Sequence, residues 1–91
     1  MQVDFIITFN TTNYAIKAEQ CLLADDIYAG VLPLPAQIRA GCGICLRINQ
    51  VDIVRAITIL KDNSFLEIEL YTREIENSDY CYSKVSVEKD Y

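Results

Sequence analysis

Pro33-Leu34-Pro35-Ala36-Gln37-Ile38-Arg39-Ala40-Gly41-Cys42-Gly43-Ile44-Cys45-Leu46-Arg47 is the stretch on which the reading of this 91-residue chain turns. Pro33 and Pro35 lack a backbone donor, so the short apolar run Ile27 to Leu34 reads as an edge strand or the end of one. Gly43 to Ile48 then alternates Gly43, Cys45 and Arg47 against Ile44, Leu46 and Ile48, the pattern of a strand with one aliphatic face. Only the loop Ala36 to Gly41 separates the two. The stretch therefore places two strands in direct succession.

Upstream, Val3 to Phe9 alternates Val3, Phe5, Ile7 and Phe9 with Asp4, Ile6 and Thr8, which makes it the first strand. Asn10-Thr11-Thr12-Asn13 supplies side chains able to cap a helix, and Ala15, Ala18, Cys21 and Leu22 form the helical stripe that follows, ending near Asp25-Asp26. Downstream, Asn49 is expected to cap a second helix with Ile53, Val54, Ile57 and Leu60 on one face and Asn63 as a left-handed stop. Phe65 to Arg73 reads as a further strand, with Leu66, Ile68 and Leu70 facing one way and Phe65, Glu67, Glu69 and Tyr71 the other. Asn77-Ser78-Asp79 is a turn signal, and Tyr80 to Val87 is an added edge strand.

The order strand, helix, strand, strand, helix, strand predicts an α+β fold: a ferredoxin-like two-layer sandwich with both helices on one face of an antiparallel sheet. Residues 1–73 form that domain and residues 74–91 a C-terminal extension. Ile6, Cys45, Phe65 and Tyr71 fall on the second sheet face. They are apolar enough to call for partial cover by the carboxy-terminal segment or by a second subunit in a homodimer.

With 52% hydrophobic and 23% charged residues the chain has an ordinary globular balance. Thirteen acidic residues against eight basic give a net charge of −5, which repels phosphate backbones and anionic lipid, so neither nucleic acid nor membrane is expected as a partner. Met1-Gln2-Val3-Asp4 carries no secretory signal, and the expected location is cytoplasmic. There is no histidine, which removes Ser-His-Asp and Cys-His catalysis and histidine metal sites. A carrier or binding domain fits better than an enzyme, and no cofactor is expected.

Free thiols, a redox site or metal ligands are the uses of cysteine that suit this compartment. Cys42 and Cys45 form a C-x-x-C pair, yet on an extended strand they point to opposite faces with alpha carbons roughly 10 Å apart, beyond the roughly 7 Å limit for bridging. No second ligand pair completes a zinc site, since Cys21 sits on the first helix and Cys81 stands alone. Cys21 and Cys45 read as packing residues. Cys42 is the candidate working residue: Gly41 and Gly43 leave it unshielded, and backbone amides at a loop-to-strand junction can hold an anion. Arg39 and Arg47 are its natural charge partners, favouring a thiolate and holding an anionic sulfur species.

Several of these blocks together resemble a known family. Ile6-Ile7-Thr8-Phe9 leading into a Thr-containing cap, Glu19, Leu32-Pro33-Leu34-Pro35, Ile38, Gly41-Cys42-Gly43 and Leu46-Arg47 are similar to the selenium/sulfur carrier protein-like family, over about Phe5 to Leu60. The family tends to place a basic residue after the second proline, where this chain has Ala36. The resemblance implies a carrier thiol at Cys42, loaded as a persulfide or selenopersulfide and unloaded onto a sulfur- or selenium-handling protein. Two other readings stand beside it: an interaction module that self-associates through its open sheet face, and a small dithiol redox protein using Cys42 and Cys45.

Overall fold

The computed structural model describes residues 3–39, 41–65 and 67–86, and the alternating run at the amino terminus becomes its central strand, β1 (Asp4–Thr8). On one side β1 pairs with β3 (Ile44–Asn49), which pairs in turn with β2 (Ala29–Pro33). On the other it pairs with β4 (Glu69–Glu76), which carries β5 (Asp79–Val85) at the edge. The sheet is antiparallel throughout, in the order β2-β3-β1-β4-β5. Two helices complete the α+β architecture: α1 (Thr12–Ala24) and α2 (Ile53–Asp62).

Both helices cover the same sheet face. Register sets Ile7 opposite Leu46 on one neighbour and Leu70 on the other, and these side chains meet Ala15, Ala18 and Leu22 of α1 and Ile53, Ala56, Ile57 and Leu60 of α2 in one buried core. Local chemistry fixes the helix ends. Thr11 Oγ1 accepts the Tyr14 N–H at 3.1 Å, closing the amino terminus of α1. Each carboxy terminus closes with the paired bonds of a Schellman motif: Asp26 N to Leu23 O and Ile27 N to Leu22 O in α1, Ser64 N to Lys61 O and Phe65 N to Leu60 O in α2. Ile27 with Leu22, and Phe65 with Leu60, bury the apolar contacts that accompany this motif.

Four expectations are corrected here. Asn63 is not the left-handed residue; Ser64 is, at φ 64°, because Asn63 is itself the C-cap of α2 and the residue after it takes the left-handed position. Asn49 precedes a single 3-10 turn (Gln50–Asp52) and makes no side-chain cap, its Oδ1 instead accepting from Arg47 Nη1 at 3.0 Å. Val54 is exposed and Ala56 takes the inward position on α2. Phe65 does not extend a strand onto the second face: it follows the α2 cap directly and packs in the helix-side core against Phe9 and Tyr14. The orientation expected for Leu66, and the strand end expected at Val87, lie outside the described residues.

On the second face, Ile6 and Cys45 are buried, with Tyr71 packed partly against them; Tyr82 of the carboxy-terminal strand β5 gives part of the expected cover, and a loop within the domain adds to it. The loop after β2 turns back, with Ile38 N donating to Pro35 O at 3.0 Å, and seats Ile38 at 4% exposure on Ile6 and Cys45. Burying one such side chain stabilises the fold by about 1.5–3 kcal/mol. Leu32, Leu34 and Tyr82 flank this small second core.

Candidate functional site

The Gly41-Cys42-Gly43 turn lies where the loop that carries Ile38 rejoins the sheet. Leu34 N donates to Gly43 O at 2.9 Å, so the loop leaves and re-enters the sheet at one point. Gly41 and Gly43 have φ of 119° and 98°, a region that side-chain-bearing residues rarely adopt. Gly41 also lies close to β1: a Cβ there would stand 3.4 Å from Thr8 Cβ and 3.5 Å from Phe9 O, ordinary contact distances, so the demand for glycine comes from the backbone angle. At Gly43 a Cβ would meet nothing within 4 Å, so one side of the turn is open.

Between these glycines Cys42 is half-buried, packed partly against the helix-side core, with Sγ 3.7 Å from Ile44 O. Cys45 lies in the other core and is fully buried, its Sγ 3.8 Å from Pro33 O. Burial pushes the Cys45 thiol up to about 11; the Arg73 charge offsets part of that rise and Cys42 adds to it. The two cysteines of the C-x-x-C therefore pack against different cores, and all four cysteines are free. Cys21 lies half-buried on α1 and Cys81 exposed on β5.

Of the two candidate arginines, Arg39 is exposed on the loop two residues before Gly41 and makes no ion pair among the described residues. Arg47 is committed elsewhere. Its Nη1 bonds Asp4 Oδ1 at 3.2 Å and Asn49 Oδ1 at 3.0 Å, and its guanidinium lies 5.9 Å from the Tyr28 ring centroid. Five residue steps of largely extended chain, at roughly 3.3 Å each, separate it from Cys42. Asp4 holds a second arginine too: Arg73 Nη2 approaches Oδ2 at 2.7 Å and its guanidinium stacks 4.3 Å over the Tyr80 ring. Burial works against the Arg73 charge, but the hydrogen bond to Asp4, the Tyr80 and Asp4 charges and the hydrogen bond to Tyr82 together outweigh it and raise the pKa. This clamp across β3, β1 and β4 was missed in the sequence. The signal lay in the register, which sets Asp4 opposite Asn49 and Arg73.

A cleft of about 310 Å³ opens beside the turn, lined by Gly41 together with Thr8, Phe9, Asn10, Glu67 and Ile68 among others. A second hollow continues it past the α1 amino terminus, sharing Asn10 and Glu67 and adding Thr11 and Tyr14. Asn10 Nδ2 donates to Glu67 Oε2 at 2.6 Å across the junction. Cys42 itself does not line either space.

The family model described as "Putative Se/S carrier protein-like" matches residues 4–72, from the first residue of β1 into β4, and extends beyond the span that the motifs alone suggest. The chain belongs to this family. No curated protein and no solved structure matches it. Among the described residues no helix is long and apolar enough to cross a membrane, and no three metal-ligating side chains gather.

Proposed function

We propose that this member of the Se/S carrier protein-like family is a thiol carrier, with Cys42 as the atom-bearing residue on a ferredoxin-like domain of residues 1–73. The single observation that carries the reading is the turn: two glycines with positive φ hold Cys42 at a loop-to-strand junction with open space beside Gly43. In the loading step the Cys42 thiolate attacks the outer sulfur of a donor persulfide. The donor S–S bond breaks, the donor leaves as its thiolate, and Cys42 holds a persulfide. In the unloading step an acceptor nucleophile attacks that outer sulfur and the Cys42 thiolate is released. Selenium in the outer position follows the same bookkeeping. No oxidant and no histidine base enter either step.

Arg39, which makes no ion pair among the described residues and lies on the same loop, is the cation available to a terminal sulfur anion, together with the amides of the turn. Arg47 supports the sheet instead. The dithiol reading has less behind it, because Cys45 is buried in a different core and held as a neutral thiol. A partner that delivers or accepts sulfur would be a protein of the cytoplasm.

The test is transfer. Reduced protein is loaded with polysulfide and then mixed with an acceptor thiol, and the protein-bound outer sulfur that moves is counted by mass spectrometry. Cys42→Ser is expected to abolish transfer and Cys45→Ser to leave it. Transfer that survives Cys42→Ser overturns the reading.

A further inference from the structure

The described chain ends in a feature that the family match over residues 4–72 does not reach. β5 is the last strand of the sheet, and no described strand pairs with its outer side. The β4–β5 hairpin turns over Asn77 and Ser78, at φ 54° and 65°, with Glu76 facing Asp79. In such a two-residue hairpin the flanking pair is hydrogen-bonded, and bonded pairs alternate along the ladder. Asp79, Cys81, Ser83 and Val85 therefore direct their amides to β4, while Tyr80, Tyr82 and Lys84 direct theirs outward. Two contacts agree with this: Thr72 Oγ1 donates to the inward Ser83 carbonyl at 3.4 Å, and Tyr80 N–H turns to the neighbouring Asp79 Oδ1 at 3.2 Å.

We propose that this edge is a homodimer interface, in which β5 pairs antiparallel with β5 of a second copy about a two-fold axis at Tyr82. The strand complements itself in that register. Tyr80 falls opposite Lys84 of the other protomer, a ring against a cation and its aliphatic stem. Tyr82 falls opposite its own copy, Cys81 opposite Ser83, and Asp79 opposite Val85. Each outward residue exchanges an N–H···O pair with its opposite. No like charges face each other, although the chain carries −5 and its copies otherwise repel. Long free edges are ordinarily blunted by proline, bulges or brevity. The opposite edge, β2, shows two of these devices: five residues ending in Pro33, with Ala29 and Gly30 already buried. β5 runs seven residues without a proline, and Tyr80 beside Arg73 and Ile75 at 62% exposure leave apolar surface next to it.

The test is register-specific. In a non-bonded antiparallel pair, opposed alpha carbons stand roughly 4.5 Å apart, within disulfide range. Ser83→Cys is therefore expected, on mild oxidation, to link covalently as a dimer through Cys81 of one protomer and the introduced thiol of the other, identified as a mixed peptide by mass spectrometry. The parent protein is expected to dimerise reversibly in sedimentation equilibrium, and Tyr82→Glu, which opposes two carboxylates on the axis, to weaken association by about tenfold or more, with its fold checked by circular dichroism. A parent that stays monomeric at high micromolar concentration, cross-linking of Ser83→Cys no better than the parent's, or a dimer that folded Tyr82→Glu leaves intact overturns the proposal.

Discussion

Asp4→Asn isolates the role assigned to the arginines. Asp4 sends one carboxylate oxygen to Arg47 at 3.2 Å and the other to Arg73 at 2.7 Å, with side-chain exposures of 25% for Asp4, 24% for Arg47 and 13% for Arg73. Fully exposed pairs contribute about 0–1 kcal/mol, and breaking a buried pair by removing one partner costs about 3–5 kcal/mol. These side chains are mostly but not wholly buried, so the loss falls between the two ranges, at about 2 kcal/mol. Asparagine keeps one acceptor oxygen but turns an amide donor toward the other guanidinium, leaving two half-buried cations without a counter-charge. For a domain of this size each kcal/mol moves the midpoint by about 4–8 °C, so Tm should fall by roughly 8–16 °C. The assay is thermal and urea unfolding of parent, Asp4→Asn, Arg73→Met and the double variant, and the cycle should return a coupling of about 1 kcal/mol or more. Because neither Asp4 nor Arg47 serves Cys42, sulfur loading of the folded Asp4→Asn protein should match the parent. A stability change below about 0.5 kcal/mol, the range of an ordinary surface substitution, or a loss of loading without unfolding, refutes the assignment.

Ile38→Ala should destabilise by about 2–4 kcal/mol, as expected for truncating a buried isoleucine, and should open Cys45 to alkylation in the native state, which peptide mapping would detect. Gly43→Ala and Gly41→Ala should each cost about 1–2 kcal/mol from left-handed strain, because a Cβ at Gly43 meets nothing within 4 Å and one at Gly41 meets Thr8 and Phe9 only at ordinary contact distance; urea midpoints of the two variants check this. The buried Cys45 thiol gives an alkaline signature. Its pKa is raised from 9.0 to about 11 in the folded state, so its contribution is complete below the free-thiol value and is lost as pH climbs toward 11. That loss amounts to about 2–3 kcal/mol by linkage, and the parent should fall in stability over this window relative to a Cys45→Ala variant, whose slope lacks the term.

The two-helix, antiparallel plan was legible because each element states its period. β1 and β3 each carry an unbroken aliphatic or aromatic set at every second residue, Phe5 and Ile7 in one and Ile44, Leu46 and Ile48 in the other, and Ala15, Ala18 and Leu22 mark one side of α1. What failed to show were positions where tertiary context decides. Phe65 alternates correctly with Leu66 and Glu67 in sequence, but it belongs to the α2 cap, and only the Schellman bond to Leu60 settles that. On α2 the inward face keeps Ile53, Ile57 and Leu60, but its fourth member is Ala56 rather than Val54, which lies at the rim of the stripe and stays exposed. Ile38, an apolar residue in an otherwise small and polar loop, was the available sign that the second face is covered from within. At the candidate site the glycine demand at positions 41 and 43 was readable in the sequence. The commitment of Arg47 was not, because its partner lies 43 residues away and is set by strand register.

The account rests on Cys42 and Cys45 occupying different surroundings despite their C-x-x-C spacing. Site-resolved alkylation of the reduced, native protein tests this most directly, with the exposed Cys81 as reference and the unfolded chain as full-reactivity control. Cys42 should label in the native state along with Cys81, while Cys45 labels only when the protein unfolds, and mild oxidation should give no Cys42–Cys45 disulfide. If Cys42 is as protected as Cys45, or if the pair forms a disulfide in the folded protein, the carrier turn described here is contradicted.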